Sequence, residues 1–235
     1  MPKINVYLPD DLADAVREAG LPVSAICQRA LDQAVRRVTA VRQTVLGELD
    51  ADQLAARLPQ FTARAVTVVS SAVDRARATG SPTVTTGHLL HGMLAEGANL
   101  GLQVLSAMEI DPAALAVPDG TEPGGGDGLR FSTAAANAVE LTVSEAVGMG
   151  HNYVGCEHLL IGLATEPDGL AGRALRDVGA DARSTRRAVT AALIGYAHLR
   201  ATKAAQPPAE GLLTAVRAEL APLVRRIEAL EGRLA

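Results

Sequence analysis

A chain of 235 residues is long enough for one or two compact domains with extensions, and its 48% of hydrophobic residues can fill a core. Only 2% of residues are aromatic, so that core is built from Ala, Val and Leu, which favours helix. A net charge of −4 excludes a global basic field for nucleic acid or an anionic membrane and leaves room only for a small local DNA-reading element. No apolar run reaches the length of a membrane span, and the opening Met1-Pro2-Lys3-Ile4-Asn5 is not a secretory signal, so the expected location is the cytoplasm. Cys27 and Cys156 lie in different segments and read as reduced thiols.

Residues 3–8 alternate, with Ile4, Val6 and Leu8 apolar between Lys3, Asn5 and Tyr7. This period predicts a short half-buried strand. A helix follows from Pro9-Asp10-Asp11, with Asp10 as its expected N-cap, Leu12, Ala15, Val16 and Ala19 on its apolar stripe, and Gly20 as its stop. Pro22-Val23-Ser24 opens a second helix that carries Ile26, Cys27, Ala30, Leu31, Ala34, Val35 and Val38. Val41, Val45 and Leu49 continue the spacing, so the region is either one long helix or a helix with a helical linker over 45–57.

The centre of the chain is a repeat. Residues 61–111 and 131–181 align without a gap at a constant offset of 70. Phe61 matches Phe131, Gly80 matches Gly150, His88-Leu89-Leu90 matches His158-Leu159-Leu160, Gly92 matches Gly162 and Glu96 matches Glu166. Each unit opens with a long helix, which in the first carries Phe61, Ala65, Val68, Val69, Ala72, Val73 and Ala76 on one face. A turn at Gly80-Ser81-Pro82 leads to a helix beginning near Thr86, and a third helix is predicted over 100–108. The Gly- and Pro-rich run 117–128 reads as a flexible loop between the units.

Gln206-Pro207-Pro208 breaks the chain again within a linker over 197–210. Beyond it, Leu213, Val216, Leu220, Leu223, Ile227, Leu230 and Leu234 form a heptad seam, with Pro222 inside it as a kink or restart. That helix over 211–235 either packs on its own domain or self-associates.

The repeat resembles the double N-terminal module of Clp ATPases, most of all that of the ClpC branch. The second unit carries the closest likeness, in Arg130-Phe131-Ser132 and in Met149-Gly150-His151-Asn152-Tyr153-Val154-Gly155-Cys156-Glu157-His158-Leu159-Leu160. The resemblance implies a mainly α fold of two four-helix units related by a pseudo-twofold axis, with fourth helices near 112–116 and 182–194. It implies binding of adaptors, peptides, phosphoarginine and some cyclic-peptide antibiotics, with Clp protease components as further partners. The implied phosphoarginine site of each unit uses the hydroxyl after the Phe and the Glu before the His. Unit two keeps Ser132 and Glu157, whereas unit one keeps Thr62 but has Gly87. A carboxylate there would pair with the guanidinium bidentately. On the alternative reading, both hydroxyls only cap helices. The implied cyclic-peptide surface includes Leu58, Phe61, Phe131 and Glu140, unless the two Phe residues are simply core. His88 and His158 lack zinc-ligand spacing and read as capping or core residues. No metal, cofactor or catalytic residue is expected, and no Gly-x-x-x-x-Gly-Lys-Ser/Thr phosphate loop occurs in these 235 residues.

Residues 1–44 resemble a ribbon-helix-helix domain, through Lys3-Ile4-Asn5-Val6-Tyr7-Leu8-Pro9 and the two helices after it. A lone short strand cannot stand by itself, and pairing with the same strand of a second chain would complete it. In such a ribbon Lys3, Asn5 and Tyr7 face the bases in the major groove, and the amides at Val23 and Ser24 hold a phosphate. The other reading of this segment is a dimerisation arm alone. Six Lys/Arg against five Asp/Glu in residues 1–44 give only a weak electrostatic footprint.

The resulting expectation is a mainly α chain, with a ribbon-helix-helix over 1–44, a linker over 45–57 and the double repeat over 58–196. The repeat units span 58–116 and 129–196. The expected function is that of a non-enzymatic, dimeric regulator that binds operator DNA and senses a peptide, adaptor or cyclic peptide. The alternative is a decoy or adaptor of a ClpC-type protease system.

Overall fold

The computed structural model describes residues 5–50, 53–117 and 120–205. The expected heptad helix over 211–235, most of the linker before it, and Lys3 and Ile4 of the expected strand lie outside these residues. The chain divides into two compact units, Met1–Val189 and Thr190–Ala235. No helix among the described residues is long and apolar enough to cross a membrane.

Residues 5–9 form no strand. A strand is stable only against a ladder partner, and no described segment of the chain pairs with this one. Val6 and Tyr7 are left 61% and 92% exposed. Helix α1 spans Asp10–Glu18 with no buried residue. Asp10 is its first helical residue rather than its cap: Pro9 holds the cap position and supplies no side-chain bond. Asp10 and Asp11 still complement the positive helix end. Gly20, at φ 61°, ends the turn as expected. Helix α2, Val23–Leu46, is one long helix.

The segment after α2 is fastened to the repeat. The Leu49 N–H donates to the Leu129 carbonyl at 2.8 Å, and Leu49 is buried. Arg77 donates to the Leu49 carbonyl at 3.1 Å and Arg57 to that of Glu48 at 2.8 Å. A single turn, α3 (Leu54–Arg57), buries Leu54 and leads into the first repeat.

The first repeat consists of α4 (Ala63–Ala78), β1 (Thr83–Val84), α5 (Thr86–Glu96) and α6 (Leu100–Ala107). The second consists of β2 (Arg130–Phe131), α7 (Thr133–Gly148), α8 (Cys156–Thr165), α9 (Leu170–Asp177) and α10 (Ala182–Ala205). The stripe predicted for α4 is the stripe it buries, from Ala65 to Ala76. Small residues allow close helix crossings. A Cβ on Gly92 of α5 would collide with the Val68 carbonyl of α4, and one on Gly162 of α8 would stand 2.5 Å from the Ala138 carbonyl of α7.

The expected fourth helix of the first unit is reduced to a 3-10 turn over Pro112–Ala114, capped by Asp111. Pro112 can start a helix, but Pro118 follows too closely for the turn to propagate. Its counterpart α10 runs past the expected 194 to 205, since Pro207 is the first proline after it.

The two repeats exchange their opening segments. Phe61 bridges Val154 of the second repeat, and Thr62 N–H donates to the Val154 carbonyl at 2.9 Å. Reciprocally, β2 pairs in parallel with β1, with Thr83 opposite Arg130 and Val84 opposite Phe131. The segment that opens each repeat therefore pairs with the residues just before the second helix of the other.

Candidate functional site

This exchange decides which candidate residues meet. Ser132 and Glu157 were expected together in unit two, and Thr62 with Gly87 in unit one. The strand pairs instead carry Ser132 to the start of α5, beside Thr86 and Gly87, and Thr62 to the segment that precedes Glu157. The two hydroxyls change places because the pairing that positions them is between units, which local sequence cannot register.

At the Ser132 end, where position 87 is Gly, a carboxylate comes from the inter-repeat loop. Glu122, in the inter-repeat loop, is 5% exposed. Its Oε2 accepts from the Thr86 N–H at 2.9 Å and from the Ser132 hydroxyl at 2.5 Å. Its Oε1 accepts from the Leu170 N–H at 2.8 Å and from the Thr86 hydroxyl. The Thr86 oxygen in turn accepts from the Ala171 N–H at 3.0 Å, and the Ser132 oxygen caps α7 by accepting from Ala135 N–H at 3.0 Å. Donors and acceptors therefore alternate correctly through the network. The loop is held down there, although its composition reads as a flexible connector. The Thr133 N–H bonds to the Pro123 carbonyl at 2.8 Å, and Gly124, at φ 151°, lies so close to Ser132 that a Cβ would stand 2.8 Å from its Cα.

Glu166 lies next to this network and is 1% exposed. Burial pushes its carboxyl above the usual range, and the N–H of Gly169 bonding to it partly offsets this. The groove beside it is lined by Asn137, Glu140, Ser144, Glu166 and Asp168.

At the other end Thr62 caps α4 by accepting from Ala65 N–H at 3.3 Å. Glu157, the second residue of α8, is 5% exposed, and burial raises its pKa against a hydrogen bond from Tyr153. His158 and His88 cap their own helices: their Nδ1 atoms accept the N–H of Gly155 and Thr85, each at 3.0 Å. Cys156 and Cys27 are free thiols, and burial pushes that of Cys156 up to about 12, which makes it inert as a nucleophile.

Leu58, Phe61 and Phe131, three members of the implied cyclic-peptide surface, are 2%, 7% and 6% exposed. They belong to the core, the strands having drawn both Phe rings inward. Glu140 is half-buried at its groove. Among the implied DNA contacts, Asn5 and Tyr7 are exposed on the extended arm, and Val23 and Ser24 are exposed at the first turn of α2. Lys3 lies outside the described residues. Glu122 is the site residue that sequence reasoning missed. The one local signal is at α9, where Gly169 stands at the cap position that Asn99 fills with its side chain in the first repeat.

The family profile of the Clp repeat (R) N-terminal domain matches residues 60–118 and 130–227. The ATP-dependent Clp protease ATP-binding subunit ClpA homolog of Brassica napus chloroplasts is 36% identical over 139 residues, which cover 57% of this chain and 16% of that protein. The chloroplast chaperone protein ClpC1 of Oryza sativa is also 36% identical over 139 residues, covering 57% of this chain and 15% of the relative. The match thus spans about one sixth of the length of these relatives. The crystal structure of the N-terminal domain of ClpD from Arabidopsis thaliana aligns with 58% of this chain and 96% of its own, at 24% identity and a TM-score of 0.41.

Proposed function

The chain belongs to the Clp repeat N-terminal domain family, and from that premise we propose that it is a partner-binding receptor module carried on a dimeric, DNA-reading arm. The repeat binds a peptide, an adaptor or a cyclic-peptide ligand in the cytoplasm. The arm pairs two copies and places Lys3, Asn5 and Tyr7 on an operator. We assign no ATP hydrolysis to these 235 residues, whose sequence contains no Gly-x-x-x-x-Gly-Lys-Ser/Thr motif.

One observation carries the arm: its apolar side chains face solvent in the single chain. Leu12, Ile26, Leu31 and Val35 are 47%, 49%, 53% and 62% exposed, and α1 buries nothing. A second arm would cover this face and supply the partner strand that residues 5–8 lack. Ligand and operator binding are coupled only if the ligand distinguishes DNA-competent from incompetent states.

The test is a mass measurement together with binding to the DNA upstream of its own gene. The expected result is a dimer that binds a palindromic site, with Lys3→Ala plus Asn5→Ala abolishing specific binding. A monomer, or salt-sensitive binding indifferent to sequence and to those changes, would sink the proposal. The likeness to Clp subunits, confined to one sixth of their length, favours a second reading: a decoy or adaptor that competes for their ligands. Calorimetry of residues 58–196 with such ligands tests it, and absence of binding counts against it.

A further inference from the structure

Val154 holds the opening segment of the first repeat by two backbone bonds. Its N–H donates to the Gln60 carbonyl at 2.8 Å, and its carbonyl accepts from the Thr62 N–H at 2.9 Å. The loop 151–155 that presents Val154 is fixed by a chain of rings. The Gly155 N–H donates to Nδ1 of His158 at 3.0 Å, and Nε2 of His158 lies 2.8 Å from Nδ1 of His151. His151 stacks on Tyr153 with ring centroids 5.2 Å apart, and both rings line one cleft with Gln60 and Val154. His151 and Tyr153 are half-buried, whereas Val154 and His158 are buried.

Donors and acceptors in this chain run one way. An amide only donates, so Nδ1 of His158 accepts, its proton sits on Nε2, and Nδ1 of His151 accepts in turn. A further proton on either accepting nitrogen sets two N–H groups against each other and breaks a link. Moving the His158 proton to Nδ1 does not help, because it then faces the Gly155 amide. Nearby carboxylates do not rescue the charged state. Glu157 stands 3.4 Å from Nδ1 of His158, too far to replace the lost bond, and Glu145 on α7 is engaged by Arg186 of α10. Burial opposes a charge on His158 further, holding its pKa down to about 4. The other pairing between the repeats, β1 with β2, is built differently. Ser81, Thr83 and Thr85 stand there in the places of His151, Tyr153 and Gly155. His88 can keep its cap when charged, because the Thr85 hydroxyl 3.1 Å from its Nδ1 can accept the new proton. Gly155 offers no such oxygen.

We propose that the His151–His158 pair is an acid-sensitive latch: proton uptake lets the loop 151–155 release the Gln60–Thr62 segment, while β1 and β2 stay paired. His151, the ring nearer solvent, is the point of entry. Released rings take up protons freely and latched rings do not. Opening therefore grows as the pH falls, by up to about tenfold per pH unit for each proton gained. This inference is independent of the DNA-reading arm and survives its failure.

Native-state hydrogen exchange of the full chain tests it, followed from pH 7 down to about pH 5 with exchange times scaled to the intrinsic rate. The amides of Thr62 and Val154 are expected to lose protection ahead of that of Ser132, which donates to Val84 beside the β1–β2 pairing. Their exchange should depend little on added urea, as a local opening does, while Ser132 keeps the steep dependence of global unfolding. His151→Gln leaves an oxygen that still accepts from His158 but takes up no proton. In that variant the protection of Thr62 and Val154 should fall less steeply with pH, by the one proton that the replaced ring no longer gains. Equal protection and equal urea dependence at all three amides would show that acid only unfolds the repeat as a whole, and would overturn the latch. An unchanged slope in His151→Gln overturns it as well. Should that variant not fold, the three wild-type amides decide alone.

Discussion

His158 has no exposed surface and uses both ring nitrogens. Its Nδ1 accepts from Gly155 N–H, so the ring proton sits on Nε2 and is donated to the Nδ1 of His151, 2.8 Å away. Protonating Nδ1 would break the Gly155 bond and bury a charge. Burial therefore pushes its pKa down to about 4, with His151 adding to the effect and Glu145 opposing it. The unfolded value is about 6.5, so between these two values the unfolded chain binds the extra proton. This contribution to stability is whole above pH ~6.5 and is lost as the pH falls towards 4, at no more than about 1.4 kcal/mol per unit. Glu157 acts in the opposite sense: its carboxyl is raised by burial, so its cost to the fold fades on acidification. Urea unfolding between pH 7 and 4 should show the loss in the wild type and a flatter profile in His158→Gln. An unchanged slope would place the acid sensitivity on other groups. The capping role of this histidine was legible from the repeat, because His88 recurs at the same place. The carboxylate clasp was not: Glu122 meets partners 10, 36 and 48 residues away, and an acid in a Gly- and Pro-rich run reads locally as a solvated one.

Helices were legible wherever apolar residues recur at helical spacing, as in α4, and their crossings depend on residues with no side chain. Gly162 brings α8 against α7 at Ala138 and Thr142, as Gly92 brings α5 against α4 at Val68. Alanine is the better helix former by about 1 kcal/mol, and at an open position that preference decides the outcome. Gly148 near the end of α7 is such a position, with nothing within 4 Å of an added Cβ. At Gly162 the methyl would meet backbone that cannot move without separating the helices, and overpacking costs about 1–3 kcal/mol. Gly162→Ala should therefore lower Tm by several degrees, while Gly148→Ala leaves it unchanged or raises it. Equal effects at both sites would mean that the crossing is softer than its geometry. The strand exchange, by contrast, was hidden from a reading of one unit at a time. Two-residue strands carry no period, and their partners lie in the other repeat.

In the molecule as a whole, the described chain contrasts a repeat with a dense core and an arm with almost none. From Ala65 to Val189 the core positions are essentially closed to solvent, whereas Val6, Leu12, Ile26, Leu31 and Val35 are open. The alternating and helical patterns of residues 3–38 predict a half-buried strand and two apolar helix stripes, whereas residues 5–9 form no strand and Val6, Leu12, Ile26, Leu31 and Val35 lie open. These patterns do not say what covers that face, because a single sequence carries no signal for its occupant. The face itself makes a prediction that separates the two cases. In a chain that functions alone, Ile26→Asp alters an exposed site and should shift stability by no more than about 0.5 kcal/mol. In a paired arm, the same change puts a carboxylate into an apolar seam, where an uncompensated charge opposes association. The expected result is a dimer-to-monomer shift in solution mass and loss of operator binding, while the Tm of the repeat stays within about 2 °C of the wild type. Intact mass and DNA binding in Ile26→Asp would remove the arm from the dimer. A collapse of the repeat would show instead that this face packs within its own chain.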